Sequence, residues 1–208
     1  MSQNPNVRLH RGDLPASYDP GPSVAIDTET LGLNPHRDRL CVVQLSKGDG
    51  TADVVQILPG GPPPATLIRV LGDDAVLKLF HFARFDLAVL FHRLGVMPSP
   101  VYCTKIASKL ARTYTDRHGL KDVVRETVGV DLSKQQQSSD WGADKLTQAQ
   151  LDYAASDVLH LHAAKAKLDS MLAREGRTDL AEACFRFLPA RARLDLLGWD
   201  EADIFAHS

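Results

Sequence analysis

Three apolar, β-branched runs at residues 23–27, 40–46 and 52–57 are separated by the breakers Gly32-Leu33-Asn34-Pro35 and Lys47-Gly48-Asp49-Gly50. Short runs divided by such residues predict three strands in an antiparallel meander. The pattern changes after the loop Leu58-Pro59-Gly60-Gly61-Pro62-Pro63-Pro64. A helix at 66–71, a strand at 76–80 and a helix at 85–94 closed by Gly95 follow, then a short strand at 101–103. The remainder reads as helical, at 104–112, 119–128, 147–174 and 177–187. Hairpins followed by strand–helix alternation predict an α/β fold, a mixed five-stranded sheet flanked by helices. The longest helix is the best specified. Thr147 and Gln150 form a capping box, and Leu151, Ala154, Ala155, Val158, Leu161, Leu168 and Leu172 repeat at helical spacing up to the stop at Gly176.

Composition excludes several classes. With 208 residues and 44% hydrophobic content, the chain fits one domain with at most a short appendage. No run of about 18 apolar residues exists, which excludes a transmembrane helix and predicts no membrane partner. Residues 1–22 lack the apolar core of a signal peptide. Cys41, Cys103 and Cys184 are scattered without C-x-x-C spacing, against a disulfide framework or zinc site and in keeping with a cytoplasmic protein. Net charge is −2, yet residues 105–125 hold six basic residues against Asp116 and Asp122. That stretch is either a phosphate-binding face or an ordinary solvated surface.

Three acidic features stand out. Asp27 and Glu29, two apart at the end of the first strand, project to one face. Asp86 falls near the start of a helix, after His81-Phe82-Ala83-Arg84-Phe85. Tyr153 and Asp157 share a face of the capped helix, four residues apart. Each has an ordinary reading: a solvated strand end, a helix-start acid, a surface helix acid.

Taken in order, D-x-E on the first strand, a mid-chain Asp and Y-x-x-x-D on a late helix resemble the motifs of the DEDDy 3′–5′ exonucleases, the ribonuclease D-like family. The stretch Lys134-Gln135-Gln136-Gln137-Ser138-Ser139-Asp140-Trp141 is similar to the sequence ahead of that family's third motif. The resemblance covers residues 22–175. Asp27-Thr28-Glu29-Thr30-Leu31-Gly32-Leu33-Asn34-Pro35, His118-Gly119-Leu120 and the tail from Gly198-Trp199 to Phe205-Ala206-His207-Ser208 resemble the short nanoRNase C type, which degrades RNAs down to dinucleotides. The wider family often has Asn before its second acid, where this chain reads Ala83-Arg84-Phe85.

The resemblance implies a ribonuclease-H-like, DnaQ-like fold and two divalent cations, Mg²⁺ or Mn²⁺, held by Asp27, Glu29, Asp86 and Asp157. Hard cations require oxygen ligands of this kind. Tyr153 would position the attacking water, making five catalytic residues. Thr30 and Leu31 follow the first acids directly; Leu31 is either a wedge between the last two bases or a core residue. His81, Phe82 and Phe85 are candidates for base stacking, although phenylalanines such as Phe82 and Phe85 are more often simply core. Lys105, Arg117, His118, Gln137 and Ser138 are candidate phosphate contacts. Expected partners are short RNA 3′ ends, with single-stranded DNA as an alternative. A general 3′ trimming exonuclease and an inactive nucleic-acid-binding module are the competing readings.

Residues 1–176 are expected to form the exonuclease domain, with no accessory helical domain after it. The apolar content of residues 177–208, among them Phe185, Phe187, Leu188, Leu194, Trp199 and Phe205, either packs back on the domain or forms a homo-oligomer interface, as in ring-like nanoRNase assemblies.

Overall fold

The three apolar runs form adjacent antiparallel strands, as the breakers between them predict. The computed structural model describes residues 6–133, 135–136 and 138–207. Its strands are β1 (Val7–Arg11), β2 (Ser23–Thr30), β3 (Leu40–Ser46), β4 (Ala52–Gln56), β5 (Leu77–Phe80) and β6 (Val101–Cys103). The helices are α1 (Ala65–Gly72), α2 (Ala83–Leu94), α3 (Thr104–Ala111), α4 (Leu120–Val128), α5 (Gln148–Leu159), α6 (Leu161–Arg174) and α7 (Thr178–Leu194), the last running into a wide turn at Asp195–Trp199. Among the described residues, no helix is long and apolar enough to cross a membrane.

The sheet order is β1-β4-β3-β2-β5-β6, with β2–β3 and β3–β4 antiparallel and the other pairs parallel. It therefore has six strands rather than the expected five. The additional strand, Val-Arg-Leu-His-Arg, lies at the sheet edge and buries little, so it carries no apolar run to read. Its alternate residues Arg8 and His10 both bond the buried Asp53 carboxylate, at 2.8 and 2.7 Å.

Residues directly opposite in an antiparallel pair share a face. Asp27 lies opposite Gln44 and Glu29 opposite Val42, so both acids face the side that α5 covers. There Cys41, Val42, Val54, Trp141 and Ala154 form a small apolar cluster. Ile26, Val43 and Leu45 point into the main core, which also takes Leu87 and Leu90 of α2, Leu161 and Leu168 of α6 and Phe185 of α7. On the other edge of β2, β5 pairs only with Ser23, Ala25 and the residue between them. The second half of β2 is thus left open where α2 begins.

The expected helix at 147–174 is two helices meeting at His160 (φ −105°, ψ −3°). α5 lies on β2, β3 and β4, whereas α6 packs on α3 and α4. The apolar stripe continues through Val158 and Leu161 because both sides of the bend are buried, so periodicity alone cannot detect it. α7 extends past the expected end at 187 and through Pro189. It buries Phe185 and Leu188 and leaves Leu197, Trp199, Ile204 and Phe205 beyond it exposed.

Candidate metal-binding and catalytic site

β2 supplies the first two acids, and a register shift between Glu29 and Thr30 turns the strand immediately after them. Gln44 on the neighbouring strand is fully buried and donates from Nε2 to Asp27 Oδ2 at 2.6 Å. Asp157 arrives from α5, whose start is fixed by the capping box read in the sequence. Thr147 Oγ1 accepts from the Gln150 amide at 3.3 Å, and Gln150 Oε1 accepts from the Thr147 amide at 2.9 Å. Gln150 Nε2 also donates to the Asp140 carbonyl at 3.0 Å, tying the helix to the preceding loop. Tyr153 stands one turn before Asp157, its ring 6.0 Å from that of buried Trp141.

Carboxylate oxygens of Asp27, Glu29 and Asp157 all lie within 4.8 Å of one another. Asp86, buried in the first turn of α2, stands beside this trio and accepts a 2.7 Å hydrogen bond from Thr28 Oγ1. Thr28 points to the opposite face of β2 from Asp27 and Glu29. The fourth acid therefore reaches the group around the open edge of the strand.

This crowding perturbs every carboxyl. Burial, then the charges of Asp86, Asp157 and Glu29, push Asp27 well above the ordinary carboxylate range. Burial with Asp157 and Asp86 raises Glu29 to about 9. Burial lifts Asp86 to about 7 against the Thr28 hydrogen bond, and lifts Asp157 to about 7 against a contact from Tyr153. Tyr153 itself is raised by burial and by the Asp157 charge, so it remains a neutral phenol. Four carboxyls driven together and upward form an all-oxygen donor set whose repulsion a hard cation would relieve. The residues present therefore fit a divalent metal.

Asp27, Glu29 and Asp157 line one side of a cleft of about 310 Å³, near the lower end for small-ligand sites. Facing them are His81, Lys105, Gly119, Leu120, Lys121, Leu132 and Ser133. Burial, then the Lys105 charge, hold His81 down at about 3, so it is neutral. Its Nδ1 lies 2.9 Å from Thr104 Oγ1.

The structure gathers Asp27, Glu29, His81, Lys105, Tyr153 and Asp157 around this cleft, with Asp86 behind them. The other sequence candidates are placed differently. Thr30 turns its hydroxyl to the Gly32 carbonyl at 2.5 Å. Leu31 is 54% exposed and packs against Gly142, so it is not a core residue. Phe82 is 46% exposed with Lys105 Nζ 4.2 Å from its ring centroid, and it sits at positive φ (67°) where β5 turns into α2. Phe82 and Phe85 line an adjoining groove with Leu33, Pro35 and Leu196. Arg117 is exposed, His118 bonds Ser108, and Ser138 is exposed on the loop before α5. Gln137 lies outside the described residues.

Sequence reading missed Lys121, Leu132 and Ser133 on the facing wall, and Thr28 and Gln44 behind the acids. Gln44 carried a usable signal. It is the lone amide in the apolar run Leu-Cys-Val-Val-Gln-Leu, and a buried amide needs a partner. Lys121 was one of six basic residues in its stretch, with nothing in the pattern to single it out.

The family described as 3′–5′ exonuclease matches residues 13–173. The ribonuclease D of Granulibacter bethesdensis is 38% identical over 159 residues, covering 75% of this chain and 39% of that protein. The chain thus spans about two fifths of the length of the curated relatives it matches. Solved structures match more fully. Brucella melitensis NrnC with bound Mg²⁺ is 62% identical with a TM-score of 0.93, covering 98% of this chain and 100% of that one. Brucella melitensis NrnC bound to pGG is 63% identical with a TM-score of 0.94, covering 98% and 99%. On fold, on the order of its acidic residues and on sequence, the chain belongs to the 3′–5′ exonuclease family.

Proposed function

We propose that this chain is a 3′–5′ exoribonuclease acting on short RNAs, dinucleotides included, and releasing nucleoside 5′-monophosphates. The carrying observation is the crowd of carboxylates with Tyr153 at the mouth of a small cleft. Asp27, Glu29, Asp86 and Asp157 would hold two divalent cations, Mg²⁺ or Mn²⁺. When bound, such a pair activates a water and stabilises charge on both the attacking and leaving oxygens.

The chain's own residues do the rest. Gln44 and Thr28 help orient Asp27 and Asp86 by donating a side-chain hydrogen bond to one oxygen of each. Tyr153, its phenol held protonated in the metal-free site by burial and the Asp157 charge, orients the attacking water through its hydroxyl. Lys105 and Lys121 attract the phosphate backbone from the opposite wall. Exposed Leu31, which follows the first two acids in the chain, is the wedge candidate, and exposed Phe82 and the adjoining groove offer a stacking surface for the next base.

The size of the cleft and the likeness to an NrnC bound to pGG support the short-substrate reading. We assign the exonuclease unit to residues 1–176. The exposed Leu197, Trp199, Ile204 and Phe205 support residues 177–208 as a homo-oligomer interface, in a ring that restricts access to the sites.

The test is a time course with Mg²⁺ or Mn²⁺ on 5′-labelled RNAs from two to about twenty nucleotides, with EDTA controls. Fast cleavage of the dinucleotide with slower attack on longer chains is expected. A ladder from the long RNA that stalls at two or three nucleotides would instead mean a general trimming exonuclease. No metal-dependent cleavage of any length would leave the inactive binding module.

A further inference from the structure

Building on the nuclease reading, we propose that Phe82 is a positioning residue, its ring seating the Lys105 ammonium on the cleft wall where a phosphate oxygen of the bound RNA arrives. Phe82 breaks three local rules at once. Its φ of 67° is the one positive value at a non-glycine residue among the described residues, in a region that bulky side chains rarely enter. It also stands at the N-cap of α2, where its side chain accepts no hydrogen bond from the open amides. Its ring is half exposed and so gives little to the core. Asparagine would suit both the backbone and the cap at such a position. Strain of this kind, where several local preferences are overridden together, persists where a site makes use of it.

The use follows from what the ring touches. β5 and β6 run parallel and end in register, Phe80 beside Cys103. The next two residues keep that pairing. His81 Nδ1 lies 2.9 Å from Thr104 Oγ1, and Lys105 Nζ lies 4.2 Å from the centroid of the Phe82 ring. That distance is well inside the range of a cation–π contact. Among the described residues, no carboxylate or hydrogen-bond acceptor holds this ammonium. Its charge is nonetheless felt in the cleft, where Lys105 lines the wall opposite the acids and depresses the proton affinity of His81. A lysine left to solvent loses rotamer freedom on meeting a phosphate, whereas one already resting on a ring has lost much of it beforehand. A ring face sets distance and leaves angle free, which suits a charge that meets an oxyanion. Lys121, on the same wall, has no aromatic seat among the described residues, so Lys105 is the preorganised member of the two.

The experiment is a double-mutant cycle in KM on a short RNA with Mg²⁺, joined to NMR of ¹³C-labelled lysine. Phe82→Leu, which keeps apolar bulk and removes the π face, should raise KM about threefold with kcat nearly unchanged. Phe82→Trp should restore it. Lys105→Ala should raise KM about tenfold, and adding Phe82→Leu to it should change nothing further. In the wild type the Lys105 ε-methylene protons should lie upfield of the other lysines, shielded by the ring, and should return in Phe82→Leu. Phe82→Asn should raise KM while the melting temperature holds or climbs by about a few degrees, because the backbone strain is relieved. An unchanged KM in Phe82→Leu, or an unshifted Lys105 signal in the wild type, would overturn the proposal. So would a Phe82→Leu loss that persists beside Lys105→Ala, since the ring would then act on a base directly. A fall in melting temperature with Phe82→Asn would assign the ring to the core instead. A wild-type chain that releases no nucleotide would sink the nuclease reading, and the Lys105 shift alone would then decide whether Phe82 seats the ammonium.

Discussion

The two walls of the cleft are built by different means. The acidic wall stands on β2, near the middle of the sheet, and on a helix with a complete capping box. Asp27 is held by Gln44 and Asp86 by Thr28. The facing wall comes from the first turns of α3 and α4 and from an irregular segment at Leu132 and Ser133. Metal ligation tolerates errors of about half an ångström, so it needs rigid elements and supporting contacts. Attraction of a phosphate acts over about 10 Å at ordinary salt and tolerates a looser frame. The fold thus places precision where like charges must be forced together and reach where charge need only be near.

The acidic wall should therefore carry the largest effects. Asp157→Ala removes a proposed metal ligand, a loss of several kcal/mol at the transition state and about a thousandfold in kcat. Single-turnover rates in saturating Mg²⁺ measure this, and turnover near wild type would remove Asp157 from the site. Tyr153→Phe comes next, at about a hundredfold in kcat with Mg²⁺ affinity unchanged. The role proposed for Tyr153 is to position the attacking water, so it is not expected to ligate metal. A large fall in metal affinity in calorimetry would show that its role is misassigned.

This division also explains what could be read from the sequence. Asp27 with Glu29 and Tyr153 with Asp157 were legible as pairs because strand and helix periods put each on one face. Thr147 and Gln150 announced the start of α5 from local chemistry alone. The convergence of the two pairs depends on β3 and α5 lying against β2, a tertiary fact that no local period encodes. Only the order of the motifs, matched to a family, pointed to it. Edge strand β1 was lost because its exposed polar residues leave no apolar run, and the bend at His160 because burial is continuous across it. Lys121 went unnoticed because a lysine's role on an irregular wall depends on what faces it.

The supporting contacts sharpen the comparison at smaller scale. Gln44→Ala frees a buried Asp27 oxygen and should weaken Mg²⁺ binding about tenfold, in the range of lost outer contacts at metal sites. Unchanged affinity would mean that the strand alone orients Asp27. Lys121→Ala should raise KM about threefold while leaving kcat intact, and the effect should shrink as salt rises. A fall in kcat with constant KM would instead move Lys121 to the precise side of the cleft and break the division of labour.

The smallest effect is on stability, and its sign follows from the raised carboxyls. Folding lifts Asp86 and Asp157 to about 7 and Glu29 to about 9, from ordinary values near 4. Between those limits the folded metal-free protein binds protons that the unfolded chain has released. Stability must then fall as pH rises, present in full below about pH 4 and lost through pH 7 to 9. Most paired carboxylates behave in the opposite way, so the direction itself is diagnostic. Added Mg²⁺ competes with those protons and should raise the melting temperature more at pH 8.5 than at pH 6, by about a few degrees. Asp157→Asn removes one charge from the group and should flatten the pH dependence of the metal-free melting temperature. A metal-free protein that gains stability between pH 6 and 8.5 would show that the acids are not crowded as described, and with that the contrast between the two walls would fail.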